Sequence, residues 1–130
     1  MGIISGKEID AIDAPEEIKK ILELDENILE GVQQAGFGGK IAGVESVFVT
    51  NKRMIKLKPN TLGLRSEIED YLYKDIANVK LDNGILRSSI HIVTRFRTEP
   101  IIIENIPKDA ANKIYKIIQE GIENLGKSKT

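Results

Sequence analysis

The sequence predicts an α+β fold: a seven-stranded antiparallel sheet, bent into a small barrel or orthogonal sandwich and capped by a C-terminal amphipathic helix, with a short helix at the N-terminus. Three observations carry this. From Asn27 to Ile106, apolar and polar residues alternate and turn residues interrupt them at intervals typical of an antiparallel sheet. After Pro107, Ala110, Ile114, Ile117, Ile118, Ile122 and Leu125 recur at three- and four-residue spacing, the stripe of a helix with one apolar face. No strand-helix-strand unit occurs, which argues against a doubly wound nucleotide fold. A strongly bent sheet leaves one end open, and a helix with a single apolar stripe is its natural plug.

The chain of 130 residues is long enough for one domain with an ordinary core, and its 41% hydrophobic and 30% charged content belongs to a soluble globular protein. We divide it into an N-terminal segment with the short helix (1–26), the sheet-and-helix domain (27–126) and a polar tail (127–130). A net charge of −1 gives no electrostatic footprint for nucleic acid, and with 5% aromatic residues there is no stacking platform for single strands. Cysteine is absent, which excludes disulfides, thiol catalysis and thiolate metal sites. The first residues lack the basic start and apolar run of a secretory leader, so the cytoplasm is the expected compartment.

Along the chain, Asp13, Ala14, Pro15 and Glu16 read as a helix start, with a carboxylate cap, a first-turn proline and an acid three residues on. Ile18, Ile21 and Leu22 mark its apolar face, and it should end near Leu24 to Asp25. Strands are expected at 28–34, 44–50, 53–58, 64–73, 76–81, 85–97 and 101–106. In the fourth, Ile68 and Leu72 lie on one side and Glu67, Glu69, Tyr71 and Tyr73 on the other. Asp82-Asn83-Gly84 is the strongest hairpin signal, because Asn-Gly accepts the positive φ angles of a type I′ turn. In the sixth strand, Leu86, Ser88, Ile90, Ile92, Thr94 and Phe96 share one face. The unbroken isoleucines of the seventh suggest burial on both faces or cover by a helix. Gly126 is the expected helix stop.

Four stretches, 43–58 (GVESVFVTNKRMIKLK), 71–81 (YLYKDIANVKL), 85–93 (ILRSSIHIV) and 106–118 (IPKDAANKIYKII), resemble the bacterial pleckstrin-homology-like domains called YokE-like. The marks of that family are a hydrophobic strand ending in Thr-(Asp/Asn)-(Lys/Arg)-Arg, a later Asp-Ile-x-x-Val and a final helix. Here they fall at Thr50-Asn51-Lys52-Arg53 and at Asp75-Ile76-Ala77-Asn78-Val79. The resemblance covers about residues 27–125 and implies a barrel closed by a helix. Read from the residues alone, Thr50, Asn51 and Lys52 are turn residues. Arg53 falls in phase with Ile55 and Leu57, and is expected to pair with Asp75 or another acid, since an unpaired buried charge is costly.

Candidate sites are few. Residues 36–43 (GFGGKIAG) look like a phosphate loop, but Ile41 stands where the magnesium-binding hydroxyl belongs and a strand follows rather than a helix. Lipid-binding relatives of the fold cluster basic residues on this connection; here it offers only Lys40. Positive charge gathers instead at Lys52, Lys56 and Lys58 on the third strand, and at Arg87, His91, Arg95 and Arg97 on the sixth. With Lys40, these form the candidate binding surface, set against a plain solvated sheet face. His91 is the sole histidine, so no multi-histidine metal site exists. We expect no catalytic, metal or cofactor-binding residues and no cofactor. The reading is a non-enzymatic interaction module that binds a protein partner or itself as a homo-oligomer. The alternative is peripheral attachment to an anionic membrane surface through the basic strand faces.

Overall fold

A computed structural model of the chain describes residues 3–4, 6–37, 44–59 and 66–127. Five strands, β2 (Lys7–Glu8), β3 (Ile28–Gln33), β5 (Ser46–Thr50), β6 (Arg53–Pro59) and β7 (Ser66–Leu72), form one antiparallel sheet in that order. Three more, β8 (Ile76–Asn83), β9 (Ser88–Thr94) and β10 (Ile101–Ile106), form a second, with β9 central. The helix α2 (Lys108–Lys127) packs on both sheets. The α+β class is as expected, and the seven anticipated strands correspond to β3 and β5 to β10. Unforeseen are β2 and a ribbon of β1 (Ile3–Ile4) with β4 (Gly36–Phe37), each only two residues long. Residues 38–43 of the glycine-rich stretch, with Lys40, lie outside the described residues, as do residues 60–65.

The main core lies between the sheets and the helix. Val32, Val47, Val49 and Met54 from the larger sheet meet Ile76, Val79, Ile90 and Ile92 from the smaller one, and α2 adds Ala110, Ala111, Ile114 and Ile118. Ser88, Ile90, Ile92 and Thr94 alternate inward as read from the sequence, whereas Leu86 and Phe96 fall beyond the ends of β9 and are exposed. β10 is buried on one face, not both: Ile101 and Ile103 point inward and Ile102 outward. A bulge between Ile103 and Ile106, with Asn105 at φ 58°, resets the phase so that Ile106 is buried too. Asparagine tolerates that left-handed backbone better than most side chains.

A second apolar cluster sits on the opposite face of the five-stranded sheet. Phe48, Ile55 and Leu57 are covered there by Ala14 and Ile18, with Ile9, Leu22 and Ile28 at its border. The N-terminal segment is therefore a strap across the outside of the sheet. Its helical part is shorter than expected: a 3-10 turn at Ala11–Asp13, then α1 (Glu16–Lys19). Pro15, not Asp13, stands at the cap, and its carbonyl accepts from the Ile18 and Lys19 amides. With one helical turn, the strap depends on its docking contacts.

The hairpin between β8 and β9 also departs from expectation. Asn83 stays in the ladder opposite Ser88, whose hydroxyl donates to Asn83 Oδ1 at 2.6 Å. The turn then closes through Gly84 N to Arg87 O at 2.8 Å, leaving Ile85 and Leu86 at the tip. A Cβ at Gly84 would stand 2.7 Å from the Arg87 carbonyl oxygen, so glycine is required by that close approach. At the far end of α2, Gly126 lies inside the helix and does not stop it.

Candidate functional site

The last residue of β5, the two residues that connect it to β6 and the first residue of β6 together tie down the strap. Thr50 is fully buried and donates through Oγ1 to Glu26 Oε2 at 2.6 Å, while the Lys52 and Arg53 amides donate to the same hydroxyl at 3.0 Å each. Asn51 Oδ1 accepts from the Asn27 amide at 2.7 Å, and its Nδ2 donates to the Asp25 carbonyl at 3.0 Å. Lys52 Nζ lies 2.7 Å from Asp25 and 3.2 Å from Glu23. Arg53 reaches furthest, with Nε and Nη2 each 2.9 Å from an oxygen of Glu26, Nη2 2.7 Å from the Ile21 carbonyl and Nη1 3.0 Å from Asp70 Oδ2.

Glu26 is the buried partner. Burial alone would raise its carboxyl, but hydrogen bonds from Arg53, Thr50 and the Glu23 amide outweigh that and hold its pKa at about 2. The Arg53 guanidinium is held still more firmly protonated by Glu26 and, less strongly, by Asp70. The fork-to-fork geometry is the strongest form of such a pair. The acids that satisfy Arg53 are thus Glu26 and Asp70 rather than Asp75. Asp75 lies in the turn before β8, where its carbonyl accepts from the Arg95 amide at 2.9 Å.

Beside this clamp a groove opens between the β5–β6 connection, the 3-10 turn Tyr73–Asp75 and the last turns of α2. It encloses about 400 Å³, with Leu72, Tyr73, Gly121 and Leu125 along its walls and Lys52 and Lys74 among its charged lining. A smaller hollow of about 160 Å³ adjoins it and shares Asn51, Tyr73, Gly121 and Asn124. Tyr73 is the wall between clamp and helix. Its hydroxyl donates to the Thr50 carbonyl at 2.5 Å, and burial pushes its pKa up. Its ring lies so close to Gly121 that a Cβ there would be 2.6 Å from two ring carbons.

A bacterial PH domain model matches residues 16–120. The chain belongs to the bacterial PH domain family. Among solved structures, this PH domain is similar to a DUF1696-family protein with a pleckstrin-homology domain from Shewanella loihica. That likeness has 15% identity and a TM-score of 0.71, over 92% of this chain and 98% of the other. A pleckstrin homology domain from Shewanella amazonensis is similar at 16% identity and a TM-score of 0.62, over 87% and 98%. At such identities the likeness is one of fold. No curated protein matches the sequence.

Within the PH domain, the described basic residues singled out from the sequence lie on both sheets. Lys52 faces the strap acids. Lys56 lies 3.2 Å from Glu45 and sits opposite Glu69 in the ladder, as Lys58 sits opposite Glu67. Arg87 precedes β9 and Arg95 and Arg97 follow it, so the strand separates them. Arg95 Nε donates to the Lys74 carbonyl at 3.0 Å, and Arg97 approaches Glu69 at 3.8 Å. His91 is half-buried in the middle of the small sheet, between Lys80 and Ile102. Among the described residues, no cluster of three or more histidine, aspartate or glutamate side chains is arranged to hold a metal ion. No helix among them is long and apolar enough to cross a membrane.

Sequence reasoning missed Glu26 and the groove. Glu26 sits among other acids in residues 23–30 (ELDENILE), and nothing in that run distinguishes the one that becomes buried. The groove joins Asn51 to Gly121, residues far apart in the chain, a juxtaposition that local pattern does not carry.

Proposed function

We propose that this PH domain is a non-enzymatic cytoplasmic binding module whose contacts are with protein, either another protein or a further copy of itself. The observation that carries this is the groove beside Tyr73, with apolar walls from Leu72 and Leu125 and with Lys74 in its lining. Exposed apolar surface rimmed by polar residues is a usual mark of a contact site for another protein. The placement of the ionisable groups supports a binding role over a catalytic one, since Glu26, Arg53 and Asp70 are tied to one another within the fold. The alternative, attachment to an anionic membrane, has less support because Lys52, Lys56 and Arg97 already lie beside carboxylates.

The test compares quantitative affinity capture by the wild-type chain and by Leu72→Asp, which places a charge in the groove wall. The reading expects partners, a second copy included, to be retained by the wild type and lost by the variant. Equal retention by both, with the variant folded, sinks the groove as the contact site. Selective sedimentation with anionic over neutral vesicles, lost when Lys52, Lys56 and Lys58 are neutralised, would favour the membrane alternative.

A further inference from the structure

Ile85 and Leu86 at the tip of the β8–β9 hairpin are 93% and 81% exposed, two adjacent branched aliphatic side chains projecting into water. Single exposed apolar residues are unremarkable, but this pair stands at the corners of a tight turn, where polar or glycine residues are the rule. The Asn83-Gly84 pair suited to those corners lies just before them. Asp82 and Arg87 flank the tip with one charge of each sign.

The groove beside Tyr73 has the complementary form. Its volume of about 400 Å³ has room for two aliphatic side chains, and Leu72, Leu125 and the Tyr73 ring supply an apolar lining. Lys74 at the groove and Glu120 at the adjoining hollow match the charges of Asp82 and Arg87. Tip and groove lie at opposite ends of β8, whose eight residues span roughly 25 Å. One molecule therefore cannot fill its own groove with its own tip.

We propose that the Ile85-Leu86 tip of one copy docks in the groove of the next. The contact joins two different surfaces, so assembly either closes as a dimer in which two copies exchange tips about a two-fold axis or continues to a larger ring or an open filament. This rests on the reading of the chain as a protein-binding module and names the surfaces through which it binds itself.

The test is sedimentation velocity over a wide concentration range on the full chain and two variants. One is the tip variant Ile85→Asp with Leu86→Asp, and the other is the groove variant Leu72→Asp, each first checked for native circular dichroism. The wild type is expected to self-associate, as a reciprocal dimer, a larger ring or a filament. Each variant alone is expected to be monomeric, its self-association weakened at least about 100-fold by the lost burial of aliphatic surface. Mixed together, the two variants each retain one intact surface, so they are expected to form a one-to-one complex and stop there.

A wild type that stays monomeric at every concentration overturns the proposal, as does a mixture that stays monomeric while the wild type assembles. Assembly that survives the tip substitutions overturns this pairing while leaving self-association by another surface standing. A monomeric wild type that binds vesicles through Ile85 and Leu86 overturns it in favour of a bilayer as the tip's partner. Loss of the broader protein-binding reading would be recognised separately, by a wild-type chain that captures no partner.

Discussion

Arg53 grips Glu26 with two parallel hydrogen bonds of 2.9 Å, and the Glu26 side chain has no exposure to solvent. The pair joins the first residue of β6 to the end of the strap, two parts of the chain 27 residues apart. Around it, Thr50, Asn51 and Lys52 hold the flanking residues 23–27. The stretch Thr50 to Arg53 is thus a receptor for the chain's own N-terminal segment, and its charges are directed inward to that task.

Arg53→Ala leaves Glu26 buried without its cation, a change expected to cost about 3–5 kcal/mol. In a domain of this size that lowers Tm by roughly 10 °C or more, readable by calorimetry. Arg53→Lys keeps the charge but loses the fork, and should fall between the two.

The Glu26 carboxyl has a lower pKa in the folded chain, about 2, than its ordinary 4.5. A depressed folded value means that stability is present above the unfolded pKa and lost as pH falls through the folded one. The loss runs between about pH 4.5 and pH 2 and amounts to roughly 3 kcal/mol from this group. Urea unfolding of Glu26→Gln should be weaker at neutral pH and lack this component of acid sensitivity.

Glu30 works in the opposite direction. Burial, then the neighbouring Glu8, raises its pKa, Lys113 pulls it back, and one of its carboxylate oxygens is buried without a hydrogen bond. A raised folded value means that its contribution is fully present below the unfolded pKa of 4.5 and lost as pH rises through the folded one. Glu30→Gln should therefore raise Tm at neutral pH and have little effect in acid; a lowered neutral Tm would contradict this.

Gly121→Ala tests the contact between α2 and the wall of the groove. Helix propensity favours alanine by about 1 kcal/mol, but the new Cβ meets the Tyr73 ring at 2.6 Å. Tyr73 is buried and its hydroxyl is tied to Thr50, so the ring cannot swing aside freely. Overpacking should win, with a net loss of about 1–2 kcal/mol in denaturant unfolding. In a Tyr73→Leu background, the same substitution should become neutral or stabilising.

Much of this fold was legible because its elements are periodic. The inward alternation of Ser88, Ile90, Ile92 and Thr94 and the stripe from Ala110 to Leu125 are local patterns, and the structure follows them. The phase of β10 was not legible, because a one-residue bulge at Asn105 leaves no mark beyond an asparagine. The hairpin turn was displaced because a side-chain bond from Ser88 holds Asn83 in its strand, a competition that turn propensity does not weigh. An acid for Arg53 could be anticipated from its phase, yet Asp75 and Glu26 are equal candidates until the strap is seen to cross the sheet. The strap's path follows from burial of Phe48, Ile55 and Leu57; the alternation of Ile55 and Leu57 with lysines marks a buried face without indicating that it meets a second core.

The central claim is that Arg53 and Glu26 act as one unit to latch the strap. A double-mutant cycle with Arg53→Met, Glu26→Gln and the combined variant, followed by urea unfolding at neutral pH, measures their coupling directly. The account predicts a coupling of about 2 kcal/mol or more, with the double variant far less unstable than the sum of the single ones. A coupling below about 0.5 kcal/mol, the range of independent sites, would contradict it.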